Sequence, residues 1–117
     1  MAEPEKARVL FLLRVPTERT AEFLASYERI RHQVAGSAAG HLVDQVCRSA
    51  RDDEQWLITS EWVSLAHFEA WETSPGHREL VGPLRDCATE ARSIRFVVHA
   101  ETSTEGGNRR CPPTSSG

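Results

Sequence analysis

The chain reads as an α+β domain whose elements follow the order β-α-β-β-α-β, and three observations predict it. An almost continuous apolar stretch, RVLFLLRV at Arg8–Val15, is cut off by Pro16. Apolar residues then recur at three- and four-residue steps over residues 18–35, the spacing of one helix face. Two strand-like segments, 41–48 and 55–63, follow around a short polar turn, the signature of a hairpin.

Each element has its own local reason. The run from Arg8 to Val15 is too short for a buried helix and reads as a strand covered on both faces. Thr17 is placed to cap the helix that follows, with Glu18 in its first turn and Phe23, Leu24, Tyr27, Ile30 and Val34 on its apolar face until Gly36 stops it. After GSAAG at 36–40, His41 to Arg48 forms a second strand, with Val43 and Cys47 on one side and Leu42 and Val46 on the other. The polar turn Arg51–Glu54 leads to a third strand, QWLITSEWV, in which period two puts Trp56, Ile58, Ser60 and Trp62 on one face. Ser64 caps a second helix carrying Leu65, Phe68 and Trp71, broken by SPG at 74–76. A further helical stretch runs from His77 to about Thr89, with Pro83 as a kink or new start, and Ile94 to Ala100 forms the fourth strand. Residues 1–101 therefore make one ferredoxin-like domain with an antiparallel sheet, and 102–117, rich in Gly, Pro and Ser, make a disordered tail. Strands apolar on both faces leave the sheet's second face in need of a cover, and a second copy of the chain supplies it, predicting a homodimer.

Composition narrows function by exclusion. Of 117 residues, 39% are hydrophobic and 26% charged, an ordinary globular balance. Fourteen Lys and Arg against seventeen Asp and Glu give a net charge of −3 with no basic stripe, which argues against a nucleic-acid partner. The apolar run Val9–Leu13 is too short to cross a bilayer or to form a signal core, so no membrane association is expected. Cys47, Cys87 and Cys111 are odd in number and far apart, which fits a cytoplasmic protein without a disulfide framework. Cys47 reads as a small buried hydrophobe, Cys87 as helix packing and Cys111 as an exposed thiol of the tail. Nucleotide, metal and serine-hydrolase motifs find no match, so no cofactor and no metal site is expected.

The segment SEWVSLAHFEAWETSPGHRELVGPLR, Ser60–Arg85, and the register of LLRVPTERTAEFLASYERI, Leu12–Ile30, resemble the antibiotic biosynthesis monooxygenase family, across residues 8–101. The resemblance implies a dimeric α+β barrel. It also implies chemistry from a set that includes cofactor-independent oxygenases converting anthrones to quinones, quinol monooxygenases, haem-degrading enzymes and isomerases. Measured against the polyketide oxygenases, Trp62 and Phe68 match, but Ile58 stands where that class has Asn, and Cys47 where it can offer His. Against the haem-degrading branch, Trp71 matches, but Leu13 stands where an Asn is found and Val81 where the iron-ligating His would be.

These comparisons leave an apolar, aromatic-lined pocket for a small aromatic substrate. Trp62 is expected as its wall, with the indole N–H donating to a substrate oxygen, His77 as proton shuttle at a helix start, and Arg85 as the cation facing a developing anion. Phe11, Leu13, Tyr27, Cys47, Ile58, Phe68 and Trp71 are expected to line it. His67 reads as a rim or surface residue, and His32, His41 and His99 as structural or exposed. The favoured function is a cofactor-independent monooxygenase tailoring an aromatic polyketide or quinol, with molecular oxygen as co-substrate. A non-oxidative cyclase or isomerase using the same pocket is the alternative, and a non-catalytic dimeric accessory protein is a third.

Overall fold

A computed structural model of the chain describes residues 5–104. Strand β1 (Ala7–Arg14) is followed by a short 3-10 turn (Thr17–Arg19), helix α1 (Thr20–Ser37), strands β2 (His41–Arg48) and β3 (Gln55–Trp62), helices α2 (Leu65–Glu72) and α3 (His77–Asp86), and strand β4 (Glu90–Val97). The strands form one sheet in the order β2-β3-β1-β4, each pair antiparallel, which is the ferredoxin-like arrangement the sequence predicts. Of the expected tail, residues 102–104 are exposed and without regular structure, while 105–117, Cys111 among them, lie outside the described residues.

One face of the sheet carries the core. Ala7, Val9, Phe11 and Leu13 of β1 pair with Trp62, Ser60, Ile58 and Trp56 of β3, so both central strands present these residues to the helices. Helix α1 answers with Phe23, Tyr27, Ile30 and Val34, the stripe read from its periodicity. Helix α2 contributes Phe68, and α3 contributes Val81 and Leu84.

Three local features depart from expectation, each for a physical reason. Thr17 does not cap α1: its N–H and Oγ1 turn to Glu54 Oε2 at 3.2 and 3.4 Å, and the helix starts at Thr20 without a side-chain cap. Gly36 does not stop the helix, which continues to Ser37. The turn comes at Gly40, whose φ of 85° only glycine adopts freely and whose missing Cβ leaves room for the His67 ring. Pro83 lies inside α3 without beginning a new helix. Strand β4 starts at Glu90, four residues before Ile94, because Thr89 N–H already donates to Arg14 O at 2.8 Å and pairing with β1 runs from there. Ser64 does cap α2 as expected, its hydroxyl accepting from His67 N–H at 3.2 Å.

The opposite face of the sheet carries Leu10, Leu12, Leu57 and Ile94, half-buried, together with Val43 and Phe96, which are 42% and 50% exposed. Arg8 crosses part of it to reach Thr59 Oγ1 and Glu61 Oε2, at 3.1 and 3.2 Å. Among the described residues no helix is long and apolar enough to cross a membrane.

Candidate functional site

Between the helix face of the sheet and the three helices lies a cavity of about 90 Å³, several times the roughly 10–15 Å³ that one water needs. It runs across the sheet, from Asp44 on β2, past Ser60 and Ile58 on β3 and Val9 and Phe11 on β1, to Ser93 on β4. Its deep end is walled by Tyr27, Ile30 and Val34 of α1, each under 10% exposed. At its mouth stand His77, half-buried, and Arg85 and Ser93, both exposed.

Eight of the residues expected at the site line this cavity: Phe11, Tyr27, Ile58, Trp62, Phe68, Trp71, His77 and Arg85. Two do not. Leu13 is 1% exposed and packs in the core on the same face, paired across the strands with Trp56 rather than facing the cavity. Cys47 is exposed, because its pairing with Leu57 puts it on the sheet's other face. Cys87 is buried against α3, where its thiol meets Pro83 O at 3.4 Å.

The aromatic wall is built from contacts between rings. Trp62, 1% exposed, stacks on Trp71 at 5.6 Å and meets the edge of Phe68 at 5.5 Å, and Trp71 in turn meets His77 at 4.5 Å, nearly perpendicular. The expected role of the indole as a donor to substrate needs correction: Trp62 Nε1 donates to Ser60 Oγ at 2.9 Å. With its oxygen accepting from the indole, the Ser60 hydroxyl keeps its own proton to donate, and Ser60 lines the cavity. Hydrogen bonding by the wall therefore passes to a residue two positions earlier on the same strand.

Charge gathers at the two ends. Among the described residues no carboxylate lies within ion-pair distance of Arg85, whose guanidinium sits 5.2 Å from the Phe11 ring centroid. Glu72, also on the lining, pairs with Arg95, which covers Phe68. Burial pushes the His77 imidazole below its ordinary pKa of 6.5, with Glu72 opposing and Arg85 adding to the shift, so the ring is neutral at neutral pH. At the deep end, burial raises the Tyr27 phenol, and the Asp44 carboxylate facing it raises it further, which keeps the hydroxyl protonated. Burial likewise raises Asp44, against the pull of Tyr27, His41 and Arg31.

Asp44 and Ser60 are the polar lining groups that sequence reasoning missed. His41, expected to be structural or exposed, has a side chain 7% exposed that meets the Trp62 ring at 5.1 Å. Alternation along β2 sets Asp44 on the face opposite Val43 and Cys47 but does not say which of the two faces meets the helices. Among the described residues no group of three or more His, Cys, Asp or Glu side chains is placed to hold a metal ion.

Comparison with known proteins places this site in context. A family model described as antibiotic biosynthesis monooxygenase matches residues 7–82. A 42.8 kDa protein of the whiE locus of Streptomyces coelicolor is 43% identical over 107 residues, which are 92% of this chain and 26% of that protein. Protein SchA of Streptomyces halstedii is 41% identical over 100 residues, 86% of this chain and 26% of its own length. Polyketide synthase CurD of Streptomyces cyaneus is 40% identical over 101 residues, 86% and 27% of the two chains. The chain thus spans about a quarter of the length of these curated relatives. Among solved structures, SnoaB, a cofactor-independent oxygenase from Streptomyces nogalater, superposes with a TM-score of 0.70 at 17% identity, over 86% of this chain and 98% of that one. A conserved protein from Methanosarcina mazei superposes with a TM-score of 0.72 at 17% identity, over 79% and 91%. At these identities the superpositions speak for the fold alone.

Proposed function

The chain belongs to the antibiotic biosynthesis monooxygenase family, and on that premise we propose that it is a cofactor-independent oxygenase acting on a hydroxylated aromatic polyketide or quinol. The observation that carries this reading is the cavity itself, largely apolar and aromatic, with Asp44 at one end, His77, Arg85 and Ser93 at the other and Ser60 between them. A ring that loses a proton can pass an electron to O₂, and recombination followed by loss of water turns an anthrone methylene into a quinone carbonyl, with one oxygen atom retained and the other leaving as water. The protein then needs a dry wall, a proton path and a group to meet the developing anion. Trp62 and Trp71 supply the wall, neutral His77 relays protons at the mouth, Ser60 offers a donor, and Arg85 faces the anion. The kinship with polyketide synthase CurD supports a polyketide substrate. Oxygen uptake together with quinone absorbance on adding an anthrone tests the reading, and turnover no faster than the spontaneous oxidation refutes it.

Ile58 favours a second reading. An apolar residue stands where the resemblance sets an Asn, so the pocket lacks one hydrogen bond of the polyketide oxygenases while keeping groups that hold and move protons. A non-oxidative cyclase or isomerase needs only those, and product formed without oxygen would select it.

The uncovered apolar face of the sheet supports a homodimer packed sheet to sheet, with Leu10, Leu12, Leu57 and Phe96 at the contact. Sedimentation at micromolar concentration is expected to give about twice the 13.1 kDa chain mass.

A further inference from the structure

A carboxylate at the closed end of an apolar cavity costs desolvation unless something answers it. Asp44 reaches that place in the regular part of β2, and the bulge before Val43 brings His41 to the same face. His41 lies opposite Trp62, Val43 opposite Glu61 and Asp44 opposite Ser60, so His41 and Asp44 share the helix face although they are three residues apart. In an unbroken strand that separation would put them on opposite faces. Bulges serve to re-aim side chains in this way.

The Tyr27 hydroxyl donates a hydrogen bond to the Asp44 carboxylate, which keeps capacity to accept a further donor. The Asp44 side chain is 16% exposed and lines the cavity beside Tyr27. His41 Nε2 is buried without a hydrogen-bond partner, and the 3.8 Å separating it from Asp44 Oδ1 is too long for a hydrogen bond. Among the described residues neither Lys nor Arg is within ion-pair distance of Asp44. A hydroxyl entering from the cavity would therefore find an acceptor with unused capacity, directly across from the Ser60 donor.

On the reading that the cavity holds a hydroxylated aromatic, we propose that Asp44 is its proton acceptor, a catalytic residue that takes the proton of the bound hydroxyl while Tyr27 holds the carboxylate in position. The substrate O–H bond breaks, an O–H bond forms on Asp44, and the electron pair stays on the substrate oxygen as a phenolate. Its charge spreads through the ring toward Arg85. That guanidinium lies over Phe11 on β1, two strand spacings or roughly 10 Å from β2. Burial also raises the basicity of Asp44 toward that of the phenol it deprotonates. The titratable and charged groups facing it are Tyr27 and Arg31 from α1 and His41 from its own strand, with uncharged Ser60 from β3.

Calorimetry with 2-naphthol and 2-methoxynaphthalene tests this without requiring turnover. Wild-type protein is expected to bind the naphthol about 10-fold or more tightly, as a hydrogen bond to an ionised acceptor allows, and to lose this preference as acid protonates Asp44. Asp44→Asn, which keeps the shape, should still bind the methoxy compound within about threefold, while its preference for the naphthol shrinks and no longer depends on pH. Equal binding of both compounds by wild type, or an unchanged preference in the variant, overturns the proposal. With an anthrone, kcat should fall at least about 100-fold in Asp44→Asn, and an unchanged kcat beside intact binding overturns the role of base. If wild type turns over no aromatic, the oxygenase reading fails, while a pH-linked preference for the hydroxyl still supports Asp44 as the group that meets the ligand's proton. Tyr27→Phe separates positioning from folding: it should lower kcat with little change in melting temperature, and an unchanged kcat removes Tyr27 from the arrangement.

Discussion

Replacing Trp62 and Ser60 singly and together measures the bond on which the cavity wall depends. Trp62→Phe deletes the donor of the 2.9 Å bond to Ser60 Oγ, together with part of the stacking on Trp71 at 5.6 Å. The hydrogen bond contributes about 0.5–1.5 kcal/mol and the lost ring contact a further 0.5–1.5 kcal/mol, so this variant should be destabilised by about 1–3 kcal/mol. Ser60→Ala keeps the indole but leaves its buried N–H without that acceptor, which costs about 1–3 kcal/mol. In the double variant both partners are gone, so its loss should fall short of the sum of the two single losses by about 1 kcal/mol. For a domain of this size that shortfall is about 4–8 °C in melting temperature. Thermal and urea melts of the four proteins, read by circular dichroism, provide the measurement. Effects that simply add, to within about 0.5 kcal/mol, would refute the coupling, and with it the claim that Ser60 is the oriented donor of the wall.

Other expectations are quicker to check. Gly40→Ala should lower stability by well over 1 kcal/mol, since a Cβ there would lie 2.5 Å from the His67 ring on a backbone with φ of 85°; a melt within 2 °C of wild type would contradict it. Arg85→Ala should weaken kcat with an anthrone by about 10-fold or more while leaving the melting temperature near wild type, as expected of an exposed cation that meets charge in the transition state; equal kcat removes its role. Leu10→Glu on the uncovered face should convert the expected dimer to monomer in sedimentation, and an unaltered mass shows that this face is not the contact. His77, held below its ordinary pKa by burial, stabilises the fold fully above 6.5 and loses that contribution as pH falls through its lowered native value. His77→Gln should therefore flatten part of the loss of stability on mild acidification, measured by melts across that range.

Periodicity made the architecture legible. The spacing of Phe23, Tyr27, Ile30 and Val34 and the alternation of Trp56, Ile58, Ser60 and Trp62 each report a buried face, and both faces are where the sequence sets them. The aromatic part of the site was legible for the same reason, because Trp62, Phe68 and Trp71 belong to those faces. The polar part was not. Hydrophobic patterns say nothing of the bulge that brings His41 beside Asp44, and alternation over 43–48 separates Cys47 from Asp44 without saying which of the two faces meets the helices. Strand β4 escaped detection over its first half because an edge strand takes its register from backbone pairing with β1, which Glu90, Arg92 and Ser93 can make as well as apolar residues can. Leu13 illustrates the remaining error: correct in face, it sits at the far end of β1 from the cavity, a distance that alternation alone cannot report.

The position of Asp44 has a consequence for stability that an inert core residue would not have. Burial raises its carboxyl pKa, so the native chain holds this proton more tightly than the unfolded chain does. Its contribution to stability is therefore complete below the ordinary value of 3.8 and is lost as pH rises through the raised native value. Above that raised value the ionised carboxylate burdens the fold, and Asp44→Asn, which cannot ionise, should melt higher than wild type there. The gap should close as pH falls below 3.8, where wild type carries the proton as well. His41, Tyr27 and Arg31 pull in the other direction and narrow this gap without reversing it. A variant less stable than wild type above that raised value would mean that these three over-compensate and that Asp44 is a structural anchor rather than a base kept under strain. A variant that is more stable but slower would place the cost where it is expected, at a residue whose charge serves the reaction at the expense of the fold.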